Sequence, residues 1–349
     1  MSRYRAPGRI NLIGEHTDYN LGYVLPLALD RDCVVERVSR ADGQLTLASK
    51  QLGQTRTFHL AALPSDKAGD WTDYCIGVAR ELLAAGYALT GADLLIDSRV
   101  PAGAGLSSSA ALEVSTALAL LDGAAIEGLE LAKLCQRAET GFVGLPCGIM
   151  DQAIAVLAQP GAALLIDCRS LETQAVPLPD GIAILVTDSG VKHALASSAY
   201  ATRVAECQRA AFDAGVASLR AASLDQVVLN PRGRHIVSEN QRVLDFLAAA
   251  AAGNLIEMGR LFTASHRSLQ HDYEVSCEEL DFLVDTALML PGVLGSRMTG
   301  GGFGGCTVTL VHDVMAEQFA HAIAVQYEGR YGCRPIVFRA VASGGAGPA

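Results

Sequence analysis

Short β-branched apolar runs at residues 23–29, 34–38, 45–48, 94–96 and 164–166, each bounded by Gly, Asp or Pro, predict strands. Ala/Leu-rich stretches at helical spacing, residues 74–85, 110–121 and 129–142, predict helices between and after them. Several strands come before the first long helix, which favours an α+β arrangement over a doubly wound parallel sheet. The helix starting near Ser108 is apolar nearly all round, so it should be buried. A second set of elements opens with a strand at 182–187 and continues through helical patterns at 201–214, 239–252 and 277–290. It closes with a strand at 307–311, a helix at 314–327 and a strand at 336–341. At 349 residues the chain is long enough for two domains of ordinary size. The turn-rich segment 177–181 marks the expected boundary, giving domains of 1–180 and 181–349. The last six residues, 344–349, carry Gly and Pro without periodicity and are expected to fray.

Charge and cysteine content narrow the function. Twenty-seven Lys and Arg against 37 Asp and Glu give a formal charge of −10, with no basic run beyond Arg232, Arg234 and His235. Nucleic acid is therefore excluded as a partner. No apolar run approaches the ~20 residues that span a bilayer, and no basic-then-apolar leader follows Met1-Ser2-Arg3, so a cytoplasmic protein without a membrane partner is expected. Nine scattered cysteines without a C-x-x-C pair fit a reducing compartment and argue against zinc. Any phosphate-bearing ligand must be held locally, by backbone amides, a helix end and a metal ion.

Four segments carry candidate chemistry. PGRINLIGEHTDYN, residues 7–20, crowds Arg9, Glu15, His16 and Asp18 around small and apolar neighbours. Carboxylates accept hydrogen bonds from hydroxyl groups and a guanidinium holds a developing negative charge, so this mixture suits a polyhydroxylated, uncharged substrate that meets an anion. A solvated turn with a helix cap is the competing reading. PAGAGLSSSAALEVS, residues 101–115, follows a predicted strand and opens the buried helix. Gly103 and Gly105 let backbone approach a ligand, while free amides and the positive helix end favour a phosphate. Ser107, Ser108 and Ser109 exceed what an N-cap requires, and one could reach a metal ion. No G-x-x-x-x-G-K-[ST] occurs, so this is not a Walker loop, and Mg2+ with its hard oxygen ligands is implied. CQRAETGFVGLPCGIMDQ, residues 135–152, supplies Glu139 and Asp151. Asp151, in an apolar setting, is either a proton acceptor for an attacking hydroxyl or a helix cap. SRMTGGGFGGCTVTLV sets five glycines among positions 300–305, before a strand; beside a plain turn, it suggests a backbone loop that comes close to the phosphates or closes the site from the second domain, with closure favoured.

In this order, PAGAGLSSSA and MTGGGFGG resemble the phosphate loop and late glycine loop of the GHMP kinase superfamily. GRINLIGEHTDYN and CGIMDQ are narrower and resemble galactokinases, as does HRSLQHDYEVSCEELD, so the resemblance spans nearly the whole chain. It implies a two-domain α+β GHMP kinase fold, an N-terminal domain of ribosomal-protein type and a C-terminal ferredoxin-like domain, with the active site in the cleft between them. It also implies ATP-dependent phosphorylation of the anomeric hydroxyl of D-galactose by a monomer. Carried over by position, Asp151 matches the catalytic base and Arg9 the transition-state stabiliser. Glu15, His16, Thr17, Asp18, Gly148 and Tyr200 match sugar contacts. Gly103, Ala104, Gly105, Leu106, Ser107, Ser108 and Ser109 match the ATP loop, and Ser109 with Glu139 the Mg2+ ligands. Two features depart from the family pattern. The GRINLIGEH stretch comes unusually early, so a strand near the entrance is expected to be shortened. TDSGV, residues 187–191, stands where an asparagine-containing version is common. Other acceptors (N-acetylgalactosamine, galacturonate, arabinose) and a galactose sensor without catalysis are the alternatives, and the intact Ser107–Ser109 loop and Asp151 favour an enzyme.

Overall fold

The computed structural model describes residues 1–192 and 196–349. The strands are β1 (Ser2–Asn11), β2 (Tyr23–Val24), β3 (Pro26–Ser39), β4 (Gln44–Ser49), β5 (Gln54–His59), β6 (Ala92–Ser98), β7 (Ala162–Asp167), β8 (Thr173–Pro177), β9 (Ile182–Lys192), β10 (Val293–Thr299), β11 (Gly304–His312), β12 (Ile336–Arg339) and β13 (Gly347–Pro348). The helices are α1 (Thr72–Ala84), α2 (Ser108–Leu121), α3 (Gly128–Arg137), α4 (Met150–Leu157), α5 (Ala196–Asp213), α6 (Leu224–Val227), α7 (Pro231–Ala251), α8 (Leu255–Ser268), α9 (Glu278–Leu288) and α10 (Ala316–Tyr331). None of the described helices is long and apolar enough to cross a membrane.

A six-stranded sheet runs β13-β1-β3-β6-β4-β5, and a small one runs β2-β7-β8. The later sheet runs β10-β11-β9-β12 with every neighbour antiparallel, the order of a ferredoxin-like βαββαβ unit. Its central strand β11 is buried along eight of nine residues. Cys306, Val308 and Leu310 face the large core shared with β1, β3 and α2, whereas Val311 meets Phe319, Ile323 and Tyr327 of α10. That shared core also takes in Phe246 and Phe262 from α7 and α8. The cleft between the sheets therefore has one apolar foundation, and its walls are fixed relative to each other. Helix α2 is the axle, with Ala111, Val114, Ala117 and Leu121 buried against that core.

Several elements differ from the sequence expectation for physical reasons. The run 23–29 is two strands, because β2 pairs with β7 and β3 with β1, while Leu25 between them bonds Leu12 and Ile13. The predicted helix 129–142 stops at Arg137 and continues as one widened π turn, Ala138–Val143, which carries Glu139. The entrance strand β1 has ten residues and pairs with β3 over most of its length. The C-terminus is not frayed. Tyr4 and Arg5 of β1 face Pro348 and Gly347 of β13, and Gly345, Ala346 and Ala349 donate backbone N–H groups to Ala158, Ala155 and Arg3. Hydrogen bonding to a distant part of the chain replaces the absent apolar periodicity. Deleting residues 344–349 should lower the unfolding free energy by about 2–4 kcal/mol, at roughly 1 kcal/mol per lost hydrogen bond plus exposed edge. Chemical denaturation measures this, and an unchanged midpoint would contradict the tethered tail.

Candidate active site

Arg9 lies on β1 just past an irregularity in its pairing with β3. Its backbone N–H donates to the Leu106 carbonyl, 3.0 Å, which staples the strand to the loop ahead of α2. Its guanidinium is buried, and three of its five N–H donors are engaged. Nε and Nη2 each donate to an oxygen of Asp151 at 2.8 Å, and Nη1 donates to the Gly105 carbonyl at 2.6 Å. Burial opposes the Arg9 charge, but the carboxylates of Asp151 and Glu15 outweigh it and the pKa is raised. Asp151 sits in the first turn of α4, where the helix end favours a carboxylate. The Ser107 hydroxyl, at the left-handed residue that opens α2, donates to the same carboxylate. Three segments far apart in sequence thus meet on one carboxylate.

Arg9 and Asp151 form one wall of a cavity of about 220 Å³ that Glu15, His16, Asp18, Glu139, Gly148 and Tyr200 also line. Asp18 packs so tightly on Gly148 that a Cβ there would lie 2.2 Å from its Oδ2, so only glycine fits. Burial, and then the nearby Asp151 charge, push the Asp18 carboxyl up to about 7. His16 is held in a left-handed conformation, and burial lowers its pKa to about 3, leaving it neutral. The Tyr200 ring lies 5.5 Å from the His16 ring and 5.6 Å from that of Tyr19.

Glu15 and Thr17 are occupied differently from what a sugar contact alone would need. Glu15 Oε1 accepts from Gly300 N at 2.8 Å, from Thr299 Oγ1 at 3.0 Å and from Arg297 Nη1 at 3.5 Å, and Oε2 accepts from Asn11 Nδ2 at 3.2 Å. Glu15 edges the cavity while it ties the first loop to the late glycine loop. The Thr17 hydroxyl turns inward to the carbonyls of Gly14 and Tyr23 and does not line the cavity.

The phosphate-loop candidates sit where the two glycine loops touch. A Cβ on Gly300 would lie 2.7 Å from the Gly105 carbonyl oxygen, which explains glycine there. Gly103, Ser108 and Ser109 line a second, larger groove of about 1120 Å³, together with Trp71, Tyr74 and Asp188, and Leu145 borders both spaces. Ala104 and Leu106 are buried in the core, so of these two only backbone can serve a ligand. Ser109 lies beside Glu139, whose Oε2 accepts from Gln152 Nε2 at 2.7 Å. Gln152 reaches the fully buried Glu113 at 3.0 Å as well. Burial first, then the charge of Asp151, raises the Glu139 pKa; burial and Glu139 raise that of Glu113. No Lys or Arg pairs with either acid among the described residues. Reading the sequence missed Arg297, Thr299, Glu113 and Gln152. Arg297 gave no signal, because a charged residue inside a strand reads as exposed, whereas here it is fully buried and donates to the carbonyls of Asn11 and Leu12 at 2.9 Å each. Glu113 was hidden in an otherwise apolar helix. Gln152 adjoins Asp151 and was passed over for it.

Known proteins resemble this chain in sequence and fold. The GHMP kinases N terminal domain matches residues 73–159, the galactokinase galactose-binding signature residues 2–36, and the GHMP kinases C terminal domain residues 246–329. A galactokinase of Chloroflexus aggregans is 48% identical over 351 aligned positions, covering 95% of this chain and 90% of its own. The galactokinase of Homo sapiens is 46% identical, covering 93% and 87%. The crystal structure of Lactococcus lactis galactokinase complexed with galactose superposes with a TM-score of 0.94 at 36% identity, covering 100% of this chain and 95% of that one. A mevalonate kinase, at 18% identity and a TM-score of 0.71, shares the fold. On the strength of these full-length matches, the chain belongs to the galactokinase family of the GHMP kinases.

Proposed function

We propose that the chain transfers the γ-phosphoryl group of ATP to the anomeric hydroxyl of D-galactose, giving galactose 1-phosphate and ADP. The observation that carries this reading is the two-pronged Arg9–Asp151 pair, held by Ser107 and Gly105 in the wall of a monosaccharide-sized cavity that shares Leu145 with a groove of about 1120 Å³ lined by Gly103, Ser108 and Ser109. In this reading Asp151 accepts the anomeric proton as that oxygen bonds to the γ-phosphorus and the bond to the β-phosphate oxygen breaks. Arg9 fixes the plane of the carboxylate and shares the charge that grows on the transferred group. Asp18, His16 and Tyr200 contact sugar hydroxyls, Gly148 makes room for Asp18, and Glu15 orders the pocket edge. Thr17 acts through the backbone of its turn. The amides of residues 103–109 and the α2 end hold the phosphates. Glu139 and Ser109 would hold Mg2+, and the surplus of buried carboxyl groups without a cationic partner there suits a divalent cation. An ion held there would supply positive charge against the phosphate oxygens.

We also propose the domain division at residue 180, with the later unit contributing Tyr200 and the glycine loop, and a monomeric protein. The nine free thiols support a reducing cytoplasm.

A panel of galactose, 2-deoxygalactose, N-acetylgalactosamine, glucose and galacturonate with Mg-ATP, read by ADP release, tests the function. Turnover with galactose is expected, and binding without turnover would support a sensor instead. A second expectation concerns pH. Galactose hydroxyls donate to the Asp18 carboxylate, so binding favours its ionised form and releases a proton near pH 6–7, and affinity falls by up to about tenfold per pH unit well below 7. The same raised pKa makes Asp18 favour the folded state at low pH, a benefit lost as pH rises from the ordinary value, near 3.8, through about 7. Titration calorimetry in buffers of different ionisation enthalpy measures the released proton, and buffer-independent heats would contradict it.

A further inference from the structure

The segment HDYEVSCEELD, residues 271–281, belongs to the family pattern, yet none of it lines the sugar cavity. Tyr273, at the end of the widened turn Leu269–Tyr273, is fully buried behind that cavity. Its ring lies between two imidazoles, with centroids 4.7 Å from His16 and 4.6 Å from His235. Its hydroxyl is 2.7 Å from Tyr19 Oη and 3.0 Å from Cys207 Sγ, and Tyr19 Oη is 2.9 Å from His16 Nδ1. A continuous hydrogen-bonded chain therefore runs from Cys207 through Tyr273 and Tyr19 to one nitrogen of His16. The other nitrogen, Nε2, is buried without a partner among the described residues, on a side chain that lines the cavity.

We propose that Tyr19 and Tyr273 are positioning residues that hold His16 in the tautomer with its proton on Nε2, which makes the imidazole a hydrogen-bond donor to a sugar oxygen. This rests on the sugar-kinase reading above. Each hydroxyl in the chain has a single proton, so the protons must all point the same way. Pointing toward His16, the chain ends in a phenol donating to an imidazole nitrogen, a good acid meeting a good acceptor, with the weak thiol donor at the far end. Pointing away, it ends in a phenol donating to sulfur, a weak acceptor. The first sense leaves Nδ1 as acceptor and puts the proton on Nε2. Burial keeps His16 neutral and raises both phenol pKa values, so the protons stay in the chain.

The cavity chemistry needs that polarity. Asp18, Asp151 and Glu139 line it with carboxyl groups. A sugar hydroxyl that donates to a carboxylate still has lone pairs to satisfy, and Nε2–H is the complementary donor. The opposite tautomer would add one more acceptor to an acceptor-rich pocket.

Histidine-15N labelling of the full chain and long-range 1H–15N correlation, without sugar, reads the tautomer directly. The spectrum of His16→Gln identifies the His16 signals among the eight histidines. The Nε2–H form is expected in the wild type. Tyr19→Phe should move His16 toward the Nδ1–H form and raise the galactose KM by about tenfold, while kcat changes by less than about threefold and the ATP KM holds. Tyr273→Phe, which keeps the Tyr19 hydroxyl, should shift both readouts in the same direction by less, and it decides the matter together with the wild-type spectrum should Tyr19→Phe not fold. An Nδ1–H wild type overturns the proposal, as does a folded Tyr19→Phe or Tyr273→Phe with unchanged tautomer and KM. Absence of galactose turnover in the wild type overturns the kinase reading instead, whatever the tautomer.

Discussion

Arg9 is the point on which this structure turns. A guanidinium offers five N–H donors in a rigid plane, and here three of them engage two neighbours, with two more residues tied in beside them. Asp151 takes two donors and Gly105 one, Ser107 completes the carboxylate from the other side, and the backbone N–H of Arg9 itself holds Leu106. The strand β1, the loop before α2 and the first turn of α4 cannot move independently without leaving a buried charge unpaired, which costs several kcal/mol. That penalty gives the proposed reaction its geometry. The carboxylate proposed as base, the loop proposed to hold phosphate and the cavity proposed for sugar share one corner.

A second tie works across the cleft. Glu15 takes hydrogen bonds from Thr299 and Gly300 at the end of β10, and the buried Arg297 donates into the same loop of residues 11–15. The glycine loop then meets the loop of residues 103–109 at Gly300 and Gly105. Order in the loop of residues 11–15 and order in the loop of residues 103–109 are therefore physically joined, through the Glu15 carboxylate and a glycine contact too close for a side chain on Gly300. Behind both, a single apolar core spans the large sheet and the ferredoxin-like sheet, so the cleft walls share one support.

Much of this was legible in the sequence, for identifiable reasons. Strong periodicity located α1 and α2 to within two residues, and apolar β-branched runs located β4, β6 and β7. Composition alone marked 7–20 as chemical, because Arg9, Glu15 and Asp18 have no role in a hydrophobic core. What stayed hidden depended on long-range partners. Polar β5 is a solvent-exposed edge strand without alternation, β13 is defined by pairing with β1, and Arg297 is buried by contacts from residues nearly three hundred positions away. Glu15 read as a hydroxyl acceptor from its type, whereas its oxygens are already engaged by the far loop. Thr17 read as part of the pocket from its neighbours, although its side chain points into its own turn. Residue type announces chemistry; only the fold decides which partner receives it.

Whether Arg9 and Asp151 act as one unit is measured by a double-mutant cycle on kcat/KM for galactose. Asp151→Asn and Arg9→Met should each lower kcat/KM by roughly 10²–10⁴-fold. The double variant should then fall no more than about tenfold below the worse single one, because the second change removes a partner with nothing left to hold. Losses that simply multiply would mean the two side chains serve the reaction separately, and the account built on their pairing would be wrong.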